Sequence, residues 1–473
     1  MRTLSKSLLG IFLLTFTAIS WAACPEGTKN NYRGECVPIA GESVKGNEKA
    51  TGNVLDVNSS MQTTQSPSCS DFSKDPICAI AGRVSMQVLE KYVVNDPMAI
   101  HYDPIARRKE LAVAESAAAW MCSLRPKYLT GFIAKPIIKI GGNDFRNGVW
   151  NPGGGDPIDE FIEPAVKKVR ESLAQGIESW LRSGDTRYLD ELREQLEIWS
   201  QADALSEMIP DVHKYWGLNW GYADVHTPIR EVLVASLTAY HLLKSEKALN
   251  QTEDALIYGW LGRRMAASVM GPTDGVGPGL ENLMPPGNHE ETRKALVYGL
   301  WGVISNDSVY FQAAIKQFYI TLDHARADGS HGWEVRKGTT GSKRSTRGLK
   351  KMNQVLNFVT IIAEIAANQG YDLYSIQNRR GVNFHKMVEF LVEASTNKNL
   401  KTSYNDSSIQ DTRFLRGRKG SINLAWAEAY VRRFPDRPVS EKLAGLLANV
   451  FGIKAQPVVG GGATCIYRDI KSA

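Results

Sequence analysis

Asn288 and His289 stand side by side after Pro285-Pro286-Gly287, where a long Gly/Pro-rich stretch (271–287) gives way to an amphipathic pattern. An amide that can cap a helix, an imidazole next to it and a helix N-terminus thus fall at one point. A helix N-terminus carries partial positive charge and N–H groups without intrahelical partners, which suits an anion such as a carboxylate. The plainer account is an N-cap followed by a surface histidine. The long preceding loop favours a site, because such loops in compact domains usually carry function.

A second cluster runs Asp328-Gly329-Ser330-His331-Gly332-Trp333-Glu334-Val335-Arg336-Lys337, through a Gly/Ser/Thr-rich stretch, to Arg347-Gly348-Leu349. Between Glu334 and Lys351 there are seven Lys/Arg and a single acid. Such a run is either a solvated basic loop or a seat for an acidic polymer, with Arg336, Lys343, Arg344 and Lys350 as its contacts. No G-x-x-x-x-G-K-[ST] motif is present, so the glycines do not announce a nucleotide. Trp216 and Trp220, in Tyr215-Trp216-Gly217-Leu218-Asn219-Trp220, can stack on sugar rings or simply fill a helix junction. The run Ser421–Tyr430 reads as a helix with buried Trp426 and Tyr430. The eight histidines show no H-E-x-x-H spacing, the six cysteines no C-x2-C, and there is no G-x-S-x-G elbow, so neither a metal nor any other cofactor is expected.

The elements that must position these residues are helices. Leu189, Leu192, Leu196 and Trp199 recur at helical spacing behind Asp185, and Leu349, Met352, Leu356, Val359, Ala363 and Ala366 form another stripe. Similar patterns fit 84–95, 106–124, 158–183, 228–244, 252–270, 289–304, 307–325, 382–395, 421–433 and 439–451, while alternating strands are scarce. The fold class is therefore all-α, and many antiparallel helices in one block suggest a toroid of hairpins, an α/α barrel.

Residues 1–23 read as an export signal: Arg2 and Lys6, an apolar stretch from Leu8 to Thr15, and small residues before a cut after Ala23. No later segment is apolar enough to span a membrane. A secreted or periplasmic protein is expected, with a lipid anchor at Cys24 as a variant of that reading. Export into an oxidising compartment makes the six cysteines a disulfide set, with Cys24–Cys36, Cys69–Cys78 and Cys122–Cys465 the preferred pairings among several. Residues 24–79, polar and Cys-containing, form an N-terminal segment and linker before a helical domain at 80–473. Net charge is +6, and losing Arg2 and Lys6 leaves it mildly basic. An exported protein seldom meets nucleic acid, so the basic loop points to an acidic polysaccharide.

From about Asp185 to Tyr430 these segments, in this order, resemble the alginate-lyase superfamily of α/α-barrel polysaccharide lyases. The likeness is carried by the 185–205 helix, the Asn-His pair, the Asp-Gly-Ser…Glu-Val-Arg loop, Arg347-Gly348-Leu349 and Leu424-Ala425-Trp426-Ala427-Glu428-Ala429-Tyr430. The resemblance implies β-elimination at a uronate. Asn288, His289 and Arg347 would offset the substrate carboxylate so that C5–H becomes removable, while a base takes that proton and an acid protonates the departing O4. The family's tyrosine seven residues after the arginine is Gln354 here. Tyr102, similar to a lid-loop tyrosine of the family, Tyr298, and a lysine at 350 or 351 are the substitutes. Poly-mannuronate is the first expected substrate and glucuronan the second. A glycoside hydrolase using two of Glu281, Glu290 and Glu334, or a non-catalytic glycan-binding protein, are the rivals.

Overall fold

A computed structural model describes residues 76–113 apart from 81, 133–140 apart from 138, 163–208, 221–266, 287–336, 346–416, 423–448 and 455–468 apart from 457–458, together with two short N-terminal strands. Two compact units are present, Met1–Thr51 and Gly52–Ala473. In the first, β1 (Thr28–Asn30) pairs antiparallel with β2 (Cys36–Pro38). The helical unit starts earlier than residue 80. Ile77 to Ile80 are buried, and the carbonyls of Ile77 and Ile80 accept from the Lys316 ammonium at 2.8 and 2.6 Å.

The helices of the second unit are α1 (Met86–Leu89), α2 (Pro104–Ala112), α3 (Glu163–Ser183), α4 (Arg187–Gln201), α5 (Gly221–Ser245), α6 (Gln251–Ala266) and α7 (His289–Ile304). They continue with α8 (Ser308–Asp323), α9 (Gly348–Asn368), α10 (Phe384–Thr396), α11 (Ala425–Arg433), α12 (Pro438–Ala448) and α13 (Ala463–Tyr467). Each inner helix packs on the next: α3 on α5, α5 on α7, α7 on α9, α9 on α11 and α11 on α13. The segment Gly461–Tyr467 returns to α3 and closes the ring. Of the alternate helices, α4 and α8 bridge successive inner ones from outside, and α6, α10 and α12 pack beside them. This is an α/α barrel.

The apolar stripes explain the packing. On α4, Leu189, Leu192, Leu196 and Trp199 are buried, and the Asp185 carboxylate accepts the Arg187 N–H at the helix start. The Trp199 indole donates to Ala134 O at 2.9 Å and that of Trp260 to Ala204 O at 2.8 Å. Their rings meet edge-on at 6.4 Å. Burying each indole removes roughly 200 Å² from water, a contribution of about 5 kcal/mol before entropy. One expected helix is cut short. Only Met86–Leu89 of 84–95 is helical, because beyond it the N–H groups of Asn95 and Asp96 donate to the Gln369 side chain and that of Val93 to the Tyr371 hydroxyl rather than to helical carbonyls.

Candidate active site

Inner helices α7 and α9 run parallel with their N-termini side by side, so His289 and Lys351 meet at one mouth of the barrel. Lys351 Nζ lies 2.9 Å from His289 Nε2. On the other side of the ring, His289 Nδ1 is 3.1 Å from Glu334 Oε1, which also accepts the His289 backbone N–H at 2.9 Å. Glu334 is fully buried and His289 nearly so. Facing a carboxylate oxygen, Nδ1 carries the proton, which leaves Nε2 turned to Lys351.

Each partner is fixed by local chemistry. Asn288 caps α7, its Oδ1 accepting from Glu291 N–H at 3.1 Å, so the amide NH2 is the part that can donate to a carboxylate. Gly287, before the cap, has φ +87° and a Cβ there would fall 2.6 Å from His324, which keeps this turn to glycine. Glu334 opens a single 3-10 turn, Glu334–Arg336, preceded by His331, whose Nδ1 accepts the Glu334 N–H at 3.3 Å. At α9 the first residue is Gly348, and a Cβ on it would sit 2.4 Å from Val335 O. The glycine lets the 334–336 turn lie against the start of α9, so that Glu334 and Lys351 flank one imidazole. Gly348→Ala is therefore expected to destabilise the fold by about 1–3 kcal/mol and to lower kcat more than it raises KM, by prising those two side chains apart; steady-state kinetics beside a thermal melt would check both.

Arg347 is the N-cap of α9 and makes no side-chain cap bond. A cation at a helix N-terminus runs against the helix dipole. Lys350, half-buried, stands one turn in. The floor below the pair is also charged: Arg293, one turn below His289 on α7, lies over Phe358 at 4.8 Å and 3.8 Å from Glu231, which also pairs with Arg170.

The structure thus brings Asn288, His289 and Arg347 to one mouth, with Arg336 in the adjoining turn. Lys343, Arg344, Trp216 and Trp220 lie outside the described residues, as do Glu281 and the export segment. Tyr102 is not at this mouth. It lines a cavity of about 780 Å³ together with Glu364 and Asn368, at the far end of α9. Glu364 is thirteen residues beyond Lys351, roughly 20 Å along the helix. His101-Tyr102-Asp103-Pro104 is the start of α2, where Asp103 caps the helix, and burial pushes the Tyr102 hydroxyl well above its ordinary range. Tyr298 packs against Tyr310 of α8, 5.3 Å between centroids. Trp426 and Tyr430 are core, the Trp426 indole donating to Asn353 Oδ1 at 3.0 Å. Sequence reasoning gave Glu334 a role only as a hydrolase carboxylate and His331 none; the Glu334–His289 contact spans 45 residues and leaves no local trace. No group of three or more potential metal ligands occurs among the described residues.

A helical barrel with an Asn-His pair and an arginine at one mouth is the arrangement that the resemblance to α/α-barrel polysaccharide lyases implies. Residues 172–400 match the family model described as alginate lyase. Among solved structures the chain is similar to alginate lyase A1-III from Sphingomonas species A1, at 22% identity and TM-score 0.62 over 80% of this chain and 99% of that one. It is similar to the same extent, 22% and 0.62 over 80% and 98%, to a variant of that enzyme complexed with a tetrasaccharide. An alginate lyase from Bacteroides ovatus matches at 15% identity and TM-score 0.50, over 79% and 99%. No curated protein matches by sequence. The family match over residues 172–400 and the likeness in fold agree on the alginate-lyase superfamily of polysaccharide lyases.

Proposed function

We propose that this lyase cleaves a β-linked polyuronate, alginate with poly-mannuronate blocks first, by β-elimination to leave 4,5-unsaturated uronate ends. One observation carries the reading: an imidazole next to a capping amide is held between a buried carboxylate and a lysine that stands one helical turn after Arg347. A uronate carboxylate placed between the two helix N-termini would have its charge offset by the Asn288 amide and Arg347, with His289 holding Lys351 beside them. The C5 proton is then acidic enough to be removed. Mannuronate and glucuronate differ at C2 and share their C4/C5 arrangement, so glucuronan is the second substrate; guluronate is inverted at C5. Glu334 is unsuited to the hydrolase alternative, because Oε1 already accepts two hydrogen bonds from His289.

Export belongs to the same proposal: cleavage of residues 1–23, with Cys24 free to carry a lipid, would deliver the enzyme to extracellular polymer. In that compartment buried Cys78 and Cys465 would be disulfide-bonded, with Cys69 and Cys122 as the preferred partners. The test is to incubate the mature protein with poly-mannuronate, glucuronan and poly-guluronate and follow the ultraviolet absorbance of the C4=C5 bond. The expected order of rates is the order just given. Chain shortening without the chromophore would make the protein a hydrolase, and binding without cleavage a receptor.

A further inference from the structure

We propose that Lys351 supplies both the base and the acid of the elimination, in the role that a tyrosine fills elsewhere in the superfamily. The inference rests on the lyase reading above and names the group that the reading leaves open. At the tyrosine's position this chain has Gln354, an amide with no proton to exchange at useful pH. Tyr102 is at the other mouth and Tyr298 faces α8. Lys351 sits where the reacting carbon must come: one turn after Arg347, with Nζ 2.9 Å from the His289 imidazole next to Asn288.

The contacts suit a proton carrier. Glu334 holds the proton on Nδ1, so Nε2 accepts an N–H from Lys351 and aims the amine. On its own helix Lys351 has Arg347 and Lys350 for neighbours. Facing it is His289 from α7, with Glu334 of the 3-10 turn on the far side of the ring and Asp411 close to Lys350. The buried Glu334 carboxylate, on the far side of His289, offsets the positive charge when the Lys351 amine takes up a proton.

The step balances without a co-reactant. The neutral amine takes the C5 proton, and the C–H electron pair moves into the C5–C6 bond as an enolate held by Asn288 and Arg347. That pair then forms C4=C5 as C4–O4 breaks, and the departing O4 takes the proton back from the Lys351 ammonium. One group on one face of the ring does both transfers, which restricts the site to uronates whose C5–H and O4 share a face, as in mannuronate.

The experiment compares wild type with Lys351→Ala and Lys351→Arg on poly-mannuronate. Both substitutions are expected to lower kcat by about 10²–10⁴-fold, the usual worth of general acid–base catalysis, with KM little changed. Arginine keeps the charge and the stem, so its failure separates proton transfer from binding or folding. Added primary amines should restore turnover to Lys351→Ala in proportion to their basicity, which a structural lysine would not allow. A Lys351→Arg enzyme within tenfold of wild type, or a folded Lys351→Ala enzyme that no amine rescues, overturns the assignment and leaves the lyase intact. Wild-type protein that forms no C4=C5 chromophore on any polyuronate overturns both.

Discussion

Glutamine in place of Glu334 is expected to lower kcat on poly-mannuronate by about 10²–10³-fold while leaving KM within about threefold. The side chain is fully buried, and a single oxygen accepts both the backbone N–H and Nδ1–H of His289. Glutamine has the same shape and can keep an oxygen in that place, so the turn and the ring should stay where they are. What it removes is the negative charge. As the elimination begins, the amine next to Nε2 becomes an ammonium, and through the imidazole a buried carboxylate stabilises that positive charge in a medium of low dielectric. The effect therefore falls on the chemical step and spares binding. Alanine should do more, since it also strands the His289 N–H at a further cost of about 1–3 kcal/mol in stability. Kinetics of both variants, with denaturation curves, decide the matter. A glutamine variant within tenfold of wild type, or one that only raises KM, would make Glu334 a packing group.

How much of this was legible beforehand depended on distance along the chain. Asn288-His289 and Arg347-Gly348 were readable because each marks a helix start, and a helix start is a local event of composition and period. The helices themselves, α4 and α9 above all, follow from stripes of leucine, valine and alanine. The His289–Glu334 and His289–Lys351 contacts span 45 and 62 residues. They exist because the ring brings α7 and α9 together and because Gly348 admits the Val335 carbonyl, and neither condition shows in a window of sequence. Gly348, legible as part of a helix start, is also a point of close packing. Tyr102 misled for the opposite reason: an aromatic ahead of Asp-Pro resembles a lid, but Asp103 caps α2 and draws the tyrosine into the core at the far mouth. The stretch 84–95 had the period of a helix, and tertiary hydrogen bonds from Gln369 and Tyr371 overrode it.

Stability should fall as pH rises from about 5 to about 8, and Glu178→Gln should abolish that part of the fall. Glu178 lies on the inner helix α3, with only 8% of its surface exposed. Burial pushes its carboxyl up to about 8 from an ordinary value of 4.5. The folded protein therefore keeps a proton that the unfolded chain releases above its own pKa. Between those two values the folded state binds more protons, so the slope of stability with pH is negative, and the accumulated loss reaches up to about 4 kcal/mol. Buried histidines act in the other direction. Burial lowers His101 to about 3 and His385 to about 4, so the unfolded chain takes up protons first and stability falls as pH drops below their ordinary value of 6.5. Comparing variant with wild type cancels those histidines. Glu178→Gln, which keeps the volume and removes the ionisable proton, should be close to wild type in urea unfolding at pH 5 and clearly more stable at pH 8.5. Parallel stability curves across that range would mean that Glu178 ionises in the folded barrel as freely as it does in water, and that the wall of the ring at α3 is wetter than its packing implies.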